Sequence, residues 1–351
     1  MEKRVVLAVV LTVAVIFLTY WLCPPPPAPC DSQPVERDSL VQDSRFGAED
    51  EAGEPPAVSE PSLTVDTSEA VSLPAAAPTI EGDTIVVRTD LYELRFSTLG
   101  ATLIGARLLD YESYSARANG DDRVQLVRPG DRLFGYRVAA GGDTASLGDR
   151  LFTADRREIT LGEQTEADSL QLSYEFPGSA IRFVVTYRFR PDTYVVEVRG
   201  RLEGLGDQGW SVLTSLGSGL PTNEKDPDED YNQLAVVTNG PAGGIESIQF
   251  DKIAPGEIRT TEGGPFHWVA VKNKYFLIAY LAPEQGPLFG GLIAEGRQEE
   301  HAAGTLTSLP VPAGSAGFEF EAYIGPQEYD RLEAIGQDLE GVNPYGWKWL
   351  R

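Results

Sequence analysis

The most chemically suggestive stretch of this sequence is Asn223-Glu224-Lys225-Asp226-Pro227-Asp228-Glu229-Asp230. Asp226, Asp228 and Asp230 alternate like the first donors of a calcium loop, since carboxylates on every second residue can converge on one hard cation. The rest of the pattern is missing. Tyr231 stands where the sharp turn requires glycine, and Val237 where the bidentate Glu belongs. The stretch therefore reads as a solvated acidic loop, and no metal is assigned to it. Two histidines remain. His267 lies in Gly263-Gly264-Pro265-Phe266-His267-Trp268, at the mouth of an apolar strand, and reads as a packed or hydrogen-bonded structural residue. His301 follows Glu299-Glu300 in a polar stretch and reads as exposed. No Gly-rich phosphate loop, H-E-x-x-H or G-x-S-x-G is present. Carboxylate pairs carry little information in so acidic a chain. No catalytic residue and no cofactor is assigned, and the sequence is not read as an enzyme.

Composition narrows the classes further. Over 351 residues, 53 acids against 29 bases leave a formal charge of −24. Such a balance repels phosphate backbones, so no nucleic acid is expected as a partner; a substrate-binding protein of the bacterial envelope or a halophilic protein fits better. With two Cys and two His, zinc sites and Cys/His catalytic pairs have little raw material.

The elements that would position any site are mostly strands. From Thr84 onward the hydrophobic period is two: Tyr92, Leu94 and Phe96 alternate with Glu93, Arg95 and Ser97. Ile181, Phe183, Val185, Tyr187 and Phe189 form one face of a strand, with Arg182, Thr186, Arg188 and Arg190 opposite. Pro191-Asp192 then supplies a turn, and Tyr194, Val196 and Val198 alternate with Glu197 and Arg199 on the return strand, which predicts an antiparallel hairpin with one buried face. Further strands are readable at 101–109, 170–176, 234–238, 268–271, 275–281 and 318–324. No helix-period segment of useful length precedes Pro326, so the pattern predicts an all-β sandwich of about 240 residues. After it, Pro326 sits at a position suited to the first turn of a helix. Tyr329, Leu332, Ile335 and Leu339 then recur at helical spacing opposite Asp330, Glu333 and Asp338, until Gly341 and Asn343-Pro344 stop the pattern.

Both ends point to a membrane. Glu2-Lys3-Arg4 precede an apolar run from Val5 to Leu22, roughly long enough to span the hydrocarbon core. Val5, Leu11, Phe17, Tyr20, Trp21 and Leu22 are its anchor residues. The alternative is a cleaved signal peptide, but the run ends in Tyr20-Trp21-Leu22 rather than a small-residue site, and Leu22 before Cys23 does not suit lipoprotein processing. Lys3 and Arg4 keep the N-terminus cytoplasmic and place the bulk outside. Residues 23–80 read as a disordered Pro-rich and acidic linker, too polar to offset the entropy of ordering. Cys23 and Cys30 flank Pro24-Pro25-Pro26-Pro27, which holds them about 20 Å apart, beyond a mutual disulfide; they are idle or pair between chains. The C-terminal Tyr345-Gly346-Trp347-Lys348-Trp349-Leu350-Arg351 is an aromatic, basic tip of the kind found at bilayer interfaces. A terminal strand or an apolar patch packed on the sandwich is the alternative. The expected organisation is a transmembrane anchor over 1–22, the linker over 23–80, a β domain over 81–325, and an amphipathic helix with the tip over 326–351. Tyr329, Leu332, Ile335, Trp347 and Trp349 are the expected membrane-interface residues.

Four segments resemble the N-terminal part of the bacterial YidC-type membrane protein insertases. They are Met1-Glu2-Lys3-Arg4 with its apolar run; Arg88-Thr89-Asp90-Leu91-Tyr92-Glu93-Leu94 followed by Ser97-Thr98-Leu99-Gly100-Ala101; Phe266-His267-Trp268-Val269-Ala270-Val271-Lys272-Asn273-Lys274-Tyr275-Phe276; and Tyr323-Ile324-Gly325-Pro326 with Tyr345-Gly346-Trp347. The resemblance implies a periplasmic β-super-sandwich akin to the galactose-mutarotase fold. It implies a place in the bacterial inner membrane, single-pass in this chain. Inner-membrane lipids, nascent membrane proteins and Sec translocon components are the implied partners. In the family five further membrane helices follow, carrying the insertion groove with its Arg; the sequence stops at Arg351, so this reads as the front portion of a longer chain. Two rival functions follow from the same fold: a mutarotase-like carbohydrate-binding or epimerase domain of the envelope, which would need paired His with a carboxylate, and a non-catalytic envelope scaffold.

Overall fold

The computed structural model describes residues 81–343, apart from 118–121, 163, 242–243, 262–263 and 300. The anchor over 1–22, the linker over 23–80, and the tip with Trp347 and Trp349 lie outside these residues. Within them no helix is long and apolar enough to cross a membrane.

The strands form three sheets. The five-stranded sheet runs β4 (Arg123–Gln125), β3 (Thr102–Glu112), β2 (Tyr92–Ser97), β1 (Thr84–Arg88) and β8 (Glu158–Thr160). The nine-stranded sheet runs β14 (Gly244–Gln249), β13 (Ala235–Gly240), β16 (Trp268–Lys272), β17 (Phe276–Leu281), β20 (Phe318–Pro326), β11 (Val195–Glu203), β10 (Arg182–Phe189), β9 (Asp168–Glu175) and β7 (Thr153–Ala154). The six-stranded sheet runs β15 (Ile258–Thr260), β18 (Gly291–Gly296), β19 (Ala303–Val311), β12 (Trp210–Gly217), β5 (Phe134–Ala140) and β6 (Asp143–Ser146). Pairing is antiparallel except between β1 and β8. This is the expected β-super-sandwich.

The inner face of the nine-stranded sheet packs against both smaller sheets through one continuous core. Aromatic rings make the joint: Phe96 of β2 lies 4.7 Å from Tyr187 of β10, and Phe134 of β5 stacks at 5.4 Å on Tyr280 of β17. The buried phenols of this joint find partners, as burial favours. Tyr187 Oη donates to Ala101 O at 2.7 Å and Tyr280 Oη to Ser215 O at 2.8 Å. The predicted hairpin is present, with Tyr187 opposite Val198 across β10 and β11. Its outward face carries the expected charges, joined across strands as Arg188–Glu197 and Arg199–Glu319.

The C-terminal helix departs from expectation. Pro326 is the last residue of β20, not the first turn of a helix, because its carbonyl side still pairs with Phe276. The helix covers only Tyr329–Ile335 and stops at Gly336, whose φ is +89°. Gln337 and Asp338 follow at φ +55° and +57°, a left-handed turn that L residues occupy at a cost of about 1–2 kcal/mol each. A 3-10 turn over Leu339–Val342 completes the segment. Leu332, Leu339 and Val342 are buried in the core, each worth roughly 1.5–3 kcal/mol. Residues 327–343 are thus a strap folded onto the sandwich, not an element standing apart from it.

Candidate functional site

The strap is held over the outer face of β13, β16 and β17 by polar contacts that start from the Trp268–Phe276 segment. Trp268, fully buried, donates from Nε1 to Gln337 O at 2.9 Å, and Asn239 Nδ2 donates to the same oxygen at 3.0 Å. Gln337 returns a bond from its Nε2 to Ala282 O at 2.9 Å. Two donors on one carbonyl therefore fix the strained left-handed turn.

A second network fixes the end of the strap. Lys272 is 6% exposed, and its ammonium donates to Asn343 Oδ1 at 2.6 Å. Burial pulls its pKa down, since no opposite charge offsets the lost hydration there. Asn343 Nδ2 bonds Gln327 Oε1, and Gln327 Nε2 donates to Asn273 O at 2.8 Å and Phe276 O at 2.9 Å. Asn273 Nδ2 in turn donates to Asp230 Oδ2 at 3.1 Å, while its own Oδ1 accepts from Phe276 N at 2.9 Å, closing the tight β16–β17 turn. The Lys272-Asn273-Lys274-Tyr275-Phe276 motif is thus a hub. It ties the last described residue, Asn343, to the acidic stretch around Asp230.

That acidic stretch differs from the expected solvated loop. Pro227–Tyr231 is a one-turn helix capped by Asp226, whose Oδ1 accepts from Asp228 N at 3.1 Å. Asp230 is 2% exposed and accepts from Asn273, from Lys274 N at 3.2 Å and from Asn223 N at 3.3 Å. Burial raises its pKa despite these donors. The alternating Asp spacing placed one carboxylate inside as a structural acceptor, and protein donors already occupy it.

Beside this helix lies a polar cleft of about 950 Å³, between the outward face of β2 and β3 and the loops carrying Arg128, Asn223 and Arg297. Tyr231 and His301 stack at its edge, 4.5 Å apart and nearly parallel. His301, expected to be exposed, is partly covered by this stacking. His267 sits elsewhere, at the start of β16, where its backbone N–H donates to Asn239 O at 2.7 Å. Glu93, expected to face solvent, is buried on the cleft side of β2, where Arg88 at 2.9 Å and Arg95 at 2.8 Å grip it. Its burial and the two guanidiniums oppose each other, and the net effect holds its pKa below the usual carboxylate range.

Of the expected membrane-interface residues, Leu332 is fully buried in the sandwich core and cannot touch lipid. The period of 3.6 identified its apolar face correctly but not what covers it. Tyr329 and Ile335 are partly exposed beside it. The arginines of the cleft were not singled out from the sequence. Two of them occupy ordinary outward strand positions, and the others come from loops far apart along the chain.

A family model described as the YidC periplasmic domain matches residues 84–350. The chain is 29% identical over 280 residues to the membrane protein insertase YidC of Chlorobaculum tepidum, covering 76% of this chain and 45% of that protein. It is 29% identical over 361 residues to that of Oleidesulfovibrio alaskensis, covering 99% and 60%. The chain spans about half the length of the curated relatives it matches. Among solved structures, a galactose mutarotase-like protein from Lactobacillus casei is similar at a TM-score of 0.42 and 8% identity, over 69% of this chain and 99% of that one. The match across all three sheets and the strap leads to one conclusion: the chain belongs to the YidC periplasmic domain family.

Proposed function

We propose that this chain forms the anchor and periplasmic portion of a membrane protein insertase, assisting insertion and folding of inner-membrane proteins. The observation that carries the reading is the family match over residues 84–350, together with relatives whose whole chains are membrane protein insertases. Its role is positional rather than chemical. The N-terminal run over Val5–Leu22 crosses the inner membrane once with its N-terminus in the cytoplasm. The linker over 23–80 gives reach, and the strap fixes the direction in which the chain leaves the sandwich at Asn343. The Lys272–Asn343 bond supports this last point, because a buried ammonium would not be spent on a mobile exit. The partners of this reading are inner-membrane lipids, nascent membrane proteins and Sec translocon components.

The test is photo-crosslinking in intact membranes from exposed positions on the sandwich, such as Ile258 and Tyr275, which are 62% and 44% exposed. Adducts to newly made membrane proteins and to Sec components are expected; their absence from every surface position would remove the reading. The exit is tested separately. Trp347→Ser with Trp349→Ser should weaken liposome binding of residues 81–351 several-fold, and unchanged binding would show that the aromatic tip does not sit at the interface.

A further inference from the structure

The cleft beside Tyr231 collects cations in a strongly acidic protein. Arg95, Arg107, Arg128 and Arg297 all line it, although the chain as a whole carries −24. Three acids line it too, and two of them are already committed. Glu93 is held by Arg88 and Arg95. Asp131 accepts from the backbone N–H and hydroxyl of Ser218 and from Arg132 N. Glu299, at the exposed rim, is the third.

Arg128 is the distinctive group. Its Nη2 donates to His301 O at 2.7 Å and its Nε to Leu220 O at 3.3 Å. Carbonyls orient a guanidinium without neutralising it. Among the described residues neither Arg128 nor Arg297 forms an ion pair with a carboxylate. Asp131 and Glu299 act on Arg128 only from a distance, so a half-buried guanidinium fixed by carbonyls and facing a cavity still gains from an anion that pairs with it directly.

We propose that this cleft binds a phosphate ester, with its oxygens taken by Arg128 and Arg297 and its polar body lying beside Tyr231. The choice of anion follows from geometry. A carboxylate is satisfied by a single guanidinium fork. A phosphate offers three acceptor oxygens and up to two charges, which suits forks converging from a sheet and from separate loops. The size follows as well: about 950 Å³ accommodates a small molecule or a lipid headgroup, within the range of ordinary ligand sites. A long polyanion is not the ligand, because the chain's net charge of −24 would repel it.

Phosphate esters of this size come either free in solution or as the headgroup of an anionic lipid, and the experiment separates them. The full chain is reconstituted in phosphatidylcholine vesicles, and phenylglyoxal modification of each arginine is followed by mass spectrometry. Selective protection of Arg128 and Arg297 by added glycerol phosphate, beyond that given by sodium chloride of equal ionic strength, assigns a soluble ester. Protection only when phosphatidic acid, a lipid phosphomonoester, is built into the vesicles assigns the lipid headgroup. No protection in either arm overturns the proposal. Arg297→Gln, at an exposed position that folding does not need, should weaken the protecting ligand about tenfold. Glu299→Gln should tighten it by removing the opposing charge. Arg128→Lys keeps the charge but loses the fork, so it should weaken the ligand while remaining folded. Equal affinity in all three variants also overturns the proposal.

Discussion

The carbonyl of Gln337 accepts two hydrogen bonds, and this makes a quantitative prediction about how the strap is held. Trp268→Phe removes the indole donor at 2.9 Å, and Asn239→Ala removes the amide donor at 3.0 Å. Either change alone leaves the oxygen one partner. Each should therefore cost only a net hydrogen bond, about 1 kcal/mol. Trp268→Phe adds about 1 kcal/mol for unfilled volume, at roughly 24 cal/mol per Å³, because Trp268 is fully buried. The double variant leaves the partly buried carbonyl with no donor from either side chain, and a group so stranded costs about 1–3 kcal/mol where water does not replace the donors. The double change should thus exceed the sum of the single ones by about 1 kcal/mol or more. Urea unfolding of residues 81–351, followed by far-UV circular dichroism, measures all three values in one cycle. Additivity within about 0.5 kcal/mol would refute the argument, since it would mean that the two donors do not share one acceptor.

Two further outcomes follow from the geometry. A methyl group on Gly200 of β11 would lie 2.2 Å from the ring of Phe318 across the β11–β20 pair, so Gly200→Ala should lower stability by about 2 kcal/mol or more, read as a drop in Tm. Glu328, at the N-cap position of the strap helix but bonded to side chains rather than to the helix backbone, has its pKa depressed first by the hydroxyl of Tyr111 and then by Arg331. A carboxylate with a lowered folded pKa stabilises above its unfolded value and loses that contribution as pH falls through the folded one. Hydrogen-exchange protection factors over Tyr329–Ile335, taken relative to the intrinsic rate at each pH, should therefore fall below about pH 4.5, and Tyr111→Phe should flatten that dependence.

Much of the fold was legible because alternation survives wherever one face is apolar. The β10–β11 hairpin, with Phe183, Val185, Tyr187 and Phe189 inside and Arg188 outside, needed nothing beyond the period of two. Strands β12 and β19 escaped because they bury hydroxyls. Thr214 donates to Phe134 O, Thr305 to Gly217 O and Thr307 to Gly291 O, so polar residues occupy the inner face at little cost. The strap helix was read too long because tertiary donors from Trp268 and Asn239 stabilise a left-handed turn at Gln337 that no local propensity announces. The cleft was the least legible part. Arg95 and Arg107 look like any solvent-facing strand residues, and nothing in the order of the chain shows that Arg128 and Arg297 meet them in one cavity.

The place of β20 carries a consequence for the order of assembly. It is the last strand among the described residues, yet it sits inside the nine-stranded sheet, pairing with β11 on one side and β17 on the other. Until residue 326 is made and delivered, that sheet exists only as two separate ribbons, one built on β10–β11 and the other on β16–β17. A chain made from its N-terminus therefore cannot close its core progressively. It must hold two open edges apart from each other, and from neighbours, until the final strand arrives. Maturation is then a single late event, timed by the arrival of β20 rather than by the folding of any earlier hairpin.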